Sequence, residues 1–324
     1  MWNLEWLRAP EAGEEIRRAL KIPAGKGIEV HHANFAKIKA QKFFAKFDSR
    51  EVKASFFADP RIAEKESLIL DYLASVKGGA LDVAFVPPKK LYHQDGLVIR
   101  EKTPGEVLEA KACSDETLLK LARILLAFRE TPVPAGLKKH RLSFARMKRE
   151  VLKRIPRARV AFTPFRGSGE ALGDWERILA RDWRGKFGHL PRGFVHGDFQ
   201  PANILLHGDR ISLIDFDRGG YFYPIFDVAS FAVQFTHSAL LESYQKKQKI
   251  DRREIRRRVQ LFVKEYGDGV QEFDEEVFRL FKLLVIFNGL AFSTAGFRKK
   301  VTKGRKHLLF GLFRQELKWF ARPK

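Results

Sequence analysis

Residues 193–217 read Gly-Phe-Val-His-Gly-Asp-Phe-Gln-Pro-Ala-Asn-Ile-Leu-Leu-His-Gly-Asp-Arg-Ile-Ser-Leu-Ile-Asp-Phe-Asp. Two carboxylates, Asp198 and Asp215, and one amide, Asn203, stand beside short apolar runs. Mg²⁺ is a hard ion that prefers oxygen ligands and shares its shell with substrate phosphates. A carboxylate and an amide oxygen offered from neighbouring strand ends suit it, and the second carboxylate is then free to act on a hydroxyl. The chemistry this set suits is phosphoryl transfer from a magnesium nucleotide.

Short β-prone runs at 194–195, 204–206 and 211–214 must bring these groups together. His207-Gly208-Asp209-Arg210 has the turn chemistry to fold the last two runs into a hairpin. Asp198 and Asn203 then fall in the loop between the first and second runs, and Asp215 directly follows the third. His207-Gly208-Asp209 repeats the His-Gly-Asp triplet of 196–198, but no Asn follows five residues after its Asp. The second copy reads as the hairpin turn.

The pattern His196-Gly197-Asp198-x-x-x-x-Asn203, followed by Ile214-Asp215-Phe216, resembles the catalytic and metal-binding loops of the aminoglycoside phosphotransferase and choline kinase family. These are small-molecule kinases with a protein-kinase-like fold. Gly197, where protein kinases carry Arg, points to the small-molecule branch. The resemblance implies an α+β, bilobal fold with a small β-rich N-lobe and a larger, mainly helical C-lobe. It implies ATP and Mg²⁺, with Asp198 accepting the proton of the acceptor hydroxyl, His196 propping the loop, and Asn203 and Asp215 holding the metal. Asp217 stands where Asp-Phe-Gly would end in Gly, and either binds a further metal ion or hydrogen-bonds locally. Downstream, Gly219-Gly220 leads to Asp227 at the start of an apolar run. Asp227 reads as the N-cap of a helix, and by resemblance also braces the catalytic loop.

Upstream, segments 28–40, 42–48 and 51–58 read as β-rich, and 61–75 as an amphipathic helix with Ile62, Ile69, Leu70 and Leu73 on its apolar face. Phe43-Phe44-Ala45-Lys46-Phe47 puts one Lys inside an apolar run, as the nucleotide-phosphate Lys of kinases is placed. Glu66, in a phrase that resembles the family's E-x-x-x-L-x-x-L, is its expected partner. Lys42, Lys53 and Glu64 compete for these roles, because strand register is not fixed by the sequence. The turn expected near residues 31–35 contains no Gly, so a glycine-rich phosphate loop is missing. Residues 96–105 resemble the family's hinge strand and its Pro-Gly turn, which would place the purine edge on the backbone of Ile99, Arg100 and Glu101. Residues 114–129 read as a buried helix capped by Ser114. The lobes are expected at 1–101 and 102–324.

The chain of 324 residues, 45% hydrophobic with 29 Phe, is long enough for two lobes around a cleft. One Cys, Cys113, excludes an internal disulfide framework and fits a reducing compartment. Neither a signal-peptide pattern nor a spanning segment is evident, and the most apolar stretch, 280–292, is interrupted by Lys282 and Asn288. The expected location is cytoplasmic, with docking on the inner face of a membrane as the specific alternative. The net charge is +22, with basic residues clustered at 138–159, 246–258 and 298–306. Such clusters are solvated faces, or surfaces for an anionic membrane or a lipid-linked saccharide. Nucleic acid ranks last, since no nucleic-acid module accompanies the charge.

The expected activity is therefore ATP-dependent, Mg²⁺-assisted transfer of a phosphoryl group to the hydroxyl of a small molecule. The alternatives are a lipopolysaccharide-core sugar kinase at the membrane surface and a kinase-like nucleotide binder without turnover. The whole-chain charge disfavours a polycationic acceptor such as an aminoglycoside and suits a sugar or an anion.

Overall fold

Alternating β-formers in the first third of the chain build an antiparallel sheet. The computed structural model describes residues 29–32, 40–47, 50–57, 59–76, 85–94, 96–246, 251–292 and 299–322. Its first strands are β1 (Glu29–His32), β2 (Ala40–Phe47) and β3 (Arg50–Phe57). Helix α1 (Pro60–Ser75) follows, then β4 (Lys90–Gln94) and β5 (Leu97–Glu101). The sheet order is β1-β2-β3-β5-β4. The β1 residues are the described part of the first expected strand, and most of the turn expected to approach phosphate lies outside the described residues. Helix α1 begins where the sequence can cap it: Asp59 accepts the Arg61 N–H at 3.0 Å, and Pro60 occupies the first turn.

After β5 the chain turns at Gly105, whose φ of 120° is open to glycine. A side chain there would meet the Leu206 carbonyl at 2.6 Å. The short β6 (Glu106–Val107) pairs with β8 (Ile204–His207), which forms a hairpin with β9 (Arg210–Leu213). Gly208, at φ 58°, opens the two-residue turn between them. Thus the second His-Gly-Asp triplet is a turn. The first apolar run, β7 (Gly193–Val195), does not join this hairpin; it pairs with β10 (Gly220–Phe222).

The remainder is helical. Helix α2 (Asp115–Glu130) is capped by Ser114, which accepts the Thr117 N–H at 3.1 Å. It is followed by α3 (Ala135–Lys138), α4 (Phe144–Phe162), α5 (Ser168–Ala180) and α6 (Arg184–Gly188). Past the strands come α7 (Ile225–Gln245), α8 (Arg252–Asp268), α9 (Glu275–Phe292) and α10 (Lys299–Phe320). Helix α7 is apolar nearly all round and is buried on most of its faces, as the central helix of a bundle must be. No described helix is long and apolar enough to cross a membrane.

One aromatic cluster ties the loop bearing Asp198 to this helical core. Phe199 meets Phe231 of α7 at 5.5 Å between ring centres, and Phe231 meets Phe235 at 5.4 Å and Phe262 of α8 at 4.4 Å. All four rings are fully buried. Replacement of Phe231 by Ala should therefore lower stability by about 3–5 kcal/mol, read from denaturant unfolding.

Candidate active site

The loop after β7 is shaped by one carboxylate. Asp227 sits in the first turn of α7, 1% exposed. Its Oδ2 accepts the His196 N–H at 2.5 Å and its Oδ1 accepts the Gly197 N–H at 2.9 Å. It does not cap its own helix, which starts after Pro224 without a side-chain cap. The N-cap expectation is thus corrected: the carboxylate serves the catalytic loop, because two loop N–H groups would otherwise be buried without acceptors. Burial pushes the Asp227 carboxyl up to about 7 against those two donors.

His196 is fully buried beneath the loop. Its Nε2 lies 3.0 Å from the Ile214 carbonyl and its Nδ1 lies 3.4 Å from the Asp198 N–H. These two partners select the neutral tautomer with the proton on Nε2. Burial pushes the imidazole down to about 4. His196 therefore joins the two functional loops, one carrying Asp198 and the other Asp215. Gly197 adopts φ 76°, and a side chain on it would run into the Arg218 carbonyl. That contact is the physical reason for glycine between His196 and Asp198.

Asp198 is largely buried, with its side chain 19% exposed, and burial raises its carboxyl above the ordinary range. Arg218 opposes the rise, with its guanidinium 3.9 Å from the carboxylate, while Asp215 and Asp217 add to it. Asn203, in a 3-10 turn, donates its Nδ2 to the Asp198 carbonyl at 2.9 Å. That bond orients the amide and leaves its Oδ1 for another partner. The Asn203 carbonyl accepts the Ile214 N–H at 3.0 Å, which sets Asn203 beside the residue preceding Asp215. Asp215 has φ 70° and ψ 61°, the only positive φ outside glycine among the described residues. Such strain in a carboxylate-bearing turn marks a functional position.

Among the described residues no three His, Cys, Asp or Glu side chains converge to hold a metal by themselves. Asn203 and Asp215 would offer one amide oxygen and one carboxylate, with the remaining positions left to phosphate oxygens and water. That donor set fits Mg²⁺. Asp217, half-buried, stands two residues further on, and its backbone carbonyl accepts Lys65 Nζ of α1 at 2.6 Å. Helix α1 is thereby tied to the turn after Asp215.

On the nucleotide side, Glu66 of α1 is buried. The Lys46 side chain lies outside the described residues; its backbone is in β2, opposite Glu29 and Glu51. Lys53 is half-buried on β3, directly opposite Arg100 of β5. Ile99 and Arg100 are paired on both sides, to β3 and β4, and the Glu101 N–H goes to the Lys89 carbonyl at 2.9 Å. Their backbone groups are consumed by the sheet, and the Lys102 N–H bonds the Glu51 carbonyl at 2.8 Å, so among the described residues the sheet bonds of this stretch end before residue 103. The Arg100 side chain is 2% exposed, donates to Thr103 Oγ1 at 3.2 Å, and keeps an Nε without a partner. Burial lowers its pKa, and Glu66 and Asp215 are the acids that oppose the fall.

Comparison with known proteins decides the family. The model of the phosphotransferase enzyme family, APH, matches residues 42–262, about two thirds of the chain. The chain belongs to that family. It is a small-molecule kinase, a phosphotransferase with an alcohol group as acceptor, and its fold is the bilobal, protein-kinase-like one. The choline kinase of Cryptosporidium parvum superposes with a TM-score of 0.65 at 15% identity, over 97% of this chain and 96% of that one. The choline kinase LicA of Streptococcus pneumoniae superposes with 0.59 at 14% identity, over 94% and 99%. An aminoglycoside phosphotransferase solved with gentamicin gives 0.56 at 16%, over 98% and 97%. No curated protein sequence matches the chain.

Within this phosphotransferase the structure adds Arg218 and the Arg100 side chain to the groups expected from sequence. Arg218 follows the Asp-Phe-Asp phrase directly and Arg100 interrupts an apolar strand, so both carried a signal that pairing alone could interpret. The buried, neutral His196 gives a pH test. Its folded-state pKa lies below its ordinary 6.5, so the stability it contributes is whole above pH 6.5 and is lost as pH falls through about 4. The loss should reach about 3 kcal/mol. Asp227, shifted upward, acts in the opposite sense over the same window. Unfolding free energies of wild type and His196→Gln, compared from pH 7 to pH 4, should converge as pH falls if His196 is responsible.

Proposed function

We propose that this phosphotransferase moves the γ-phosphoryl group of ATP to the hydroxyl of a small molecule, with Asp198 as the base. The observation that carries the reading is the position of Asp198: largely buried, raised by burial, and tied through Asn203 and His196 to the loop that bears Asp215. A carboxylate so placed can orient an acceptor hydroxyl and take its proton as the oxygen attacks phosphorus. Asn203 and Asp215 would hold Mg²⁺, which when bound neutralises phosphate charge. Asp217 is suited to a further ion or to water near it.

The purine edge is read on the backbone of the 103–105 segment, just beyond the expected Ile99–Glu101, because the sheet uses the chain's hydrogen bonds up to the Lys102 N–H. Lys53 is the better phosphate cation than Lys46. It lies on the strand beside β5 and precedes the helix bearing Glu66, whereas Lys46 lies one strand further out. The two lobes divide near residue 102, where the sheet of five strands ends.

Choline kinases and an ATP-bound aminoglycoside phosphotransferase share the fold, which supports ATP as donor. The reading is tested by nucleotide consumption with Mg²⁺ and a mixed panel of hydroxyl compounds. Asp198→Asn should lose about 10²–10⁴-fold in kcat while still binding nucleotide. Equal rates in wild type and Asp198→Asn would remove the catalytic assignment, and nucleotide binding without turnover in wild type would favour the kinase-like binder.

A second measurement sorts the two lysines. Lys53→Met should cost about 10²–10³-fold in kcat/KM for ATP, and Lys46→Met should stay within a few fold. The reverse order would restore Lys46 to the role.

A further inference from the structure

A cation stands beside Asp198. Arg218, whose side chain is 58% exposed, lies 3.9 Å from the Asp198 carboxylate and has no other charged partner among the described residues. It is also two residues from β10, and β10 is where a basic loop docks. The Leu142 N–H bonds the Tyr221 carbonyl at 3.0 Å, and the Tyr221 N–H bonds the His140 carbonyl at 3.2 Å. A side chain on Gly220 would meet that His140 carbonyl at 2.6 Å, so the approach of the two backbones is close. This pairing holds Lys138-Lys139-His140-Arg141 against the strand that follows Arg218.

A third element reaches the same place. Lys65 of α1 bonds the Asp217 carbonyl at 2.6 Å, and the charges of Lys65 and Lys139 act with burial to depress His140, against Glu64. Among the described residues, Lys138, Lys139 and Arg141 are exposed and have no ion pair. The acids of this region are Glu64 beside His140, and Asp215 and Asp217 beside the base. Arg218 is the cation next to the base, and the basic loop lies along the strand that follows it.

We propose that the acceptor of this kinase is a hydroxyl compound that also carries a phosphate or carboxylate, held by Arg218. The inference rests on Asp198 being the phosphotransfer base. It follows from placement: an acceptor hydroxyl on Asp198 lies within reach of a planar guanidinium suited to bidentate binding of either anion. A cationic acceptor would have to bring its charge against Arg218, at a cost set by like charges a few ångströms apart. The kinases of similar fold that are named for choline and solved with gentamicin therefore do not set the acceptor class here.

The test compares matched hydroxyl compounds: glucose, glucose 6-phosphate, glucuronate, glycerol, glycerol 3-phosphate and choline. Calorimetric binding is measured in the presence of Mg²⁺ and a non-hydrolysable ATP analogue, and turnover with Mg-ATP. Anionic members should bind about tenfold or more tighter than their neutral counterparts, and choline least tightly. Arg218→Gln, an exposed change, should narrow that preference to a few fold, with Arg218→Lys retaining part of it and the binding of the ATP analogue unchanged.

Phosphate and carboxylate members report separately which anion is preferred. Equal binding of neutral and anionic members, or an equal loss for both in Arg218→Gln, would overturn the inference while leaving the kinase reading intact. Preferential binding of anions without any turnover would leave the site assignment standing and instead count against Asp198 as base.

Discussion

The buried carboxylate of Asp227 is the interaction on which the active-site loop depends. A carboxylate taken from water is expensive unless hydrogen bonds replace its hydration. Here the replacement comes from two consecutive backbone N–H groups, those of His196 and Gly197. The exchange is mutual, since those N–H groups are in a loop that has no strand partner to accept them. It also sets the handedness of the loop. With both N–H groups turned to one side chain, Gly197 must take a positive φ, and the chain then delivers Asp198 on the opposite side. A rigid helix end thus dictates where a carboxylate on a loop will stand.

His196 extends that constraint to the second loop. Its ring bridges the Ile214 carbonyl and the Asp198 N–H, while Phe216 packs at 4.7 Å from it. A neutral ring is required, because a charged imidazolium would have to be buried with one donor facing an N–H. Burial enforces that neutrality. The strained backbone of Asp215 is held by the same neighbours: Ile214 is bonded to Asn203 on one side and to His196 on the other. From there Lys65 connects the turn after Asp215 to α1 and so to the buried Glu66. The Asp198 loop, the turn bearing Asp215 and helix α1 thus form a continuous set of contacts.

Much of this was readable in the sequence because it is carried by local spacing. The five-residue interval from Asp198 to Asn203, the Gly-Asp turn at 208–209 and the cap at Ser114 each depend on residues a few positions apart. What was not readable depends on partners far along the chain. Asp227 at a helix start has the signature of an N-cap, and only the arrival of the 196–197 backbone converts it to a brace. A Lys in an apolar run marks Lys46 and Lys53 alike, and only strand order distinguishes their positions: β3 lies beside β5 and β2 one strand further out. At the expected hinge, Ile99 and Arg100 are paired to strands on both sides, and the sequence reveals a strand but not that both of its edges are occupied. The expected hairpin of the last two apolar runs formed, but the partner of the first was hidden for the same reason: β10, which claims β7, looks from sequence like a glycine-rich loop.

The contact between Gly197 and the Arg218 carbonyl links catalysis to acceptor choice. Gly197 must lack a side chain because the backbone of Arg218 crosses it, and that crossing is what presents the Arg218 guanidinium to Asp198. The base and the cation beside it are thus fixed by one close approach of two loops, rather than by independent folding of each. A fold shared with kinases of quite different sequence can keep the first of these groups and vary the second, because the backbone crossing does not specify which side chain residue 218 carries. The phosphoryl-transfer machinery is then a property of the loop geometry, and the acceptor a property of the side chains mounted on it.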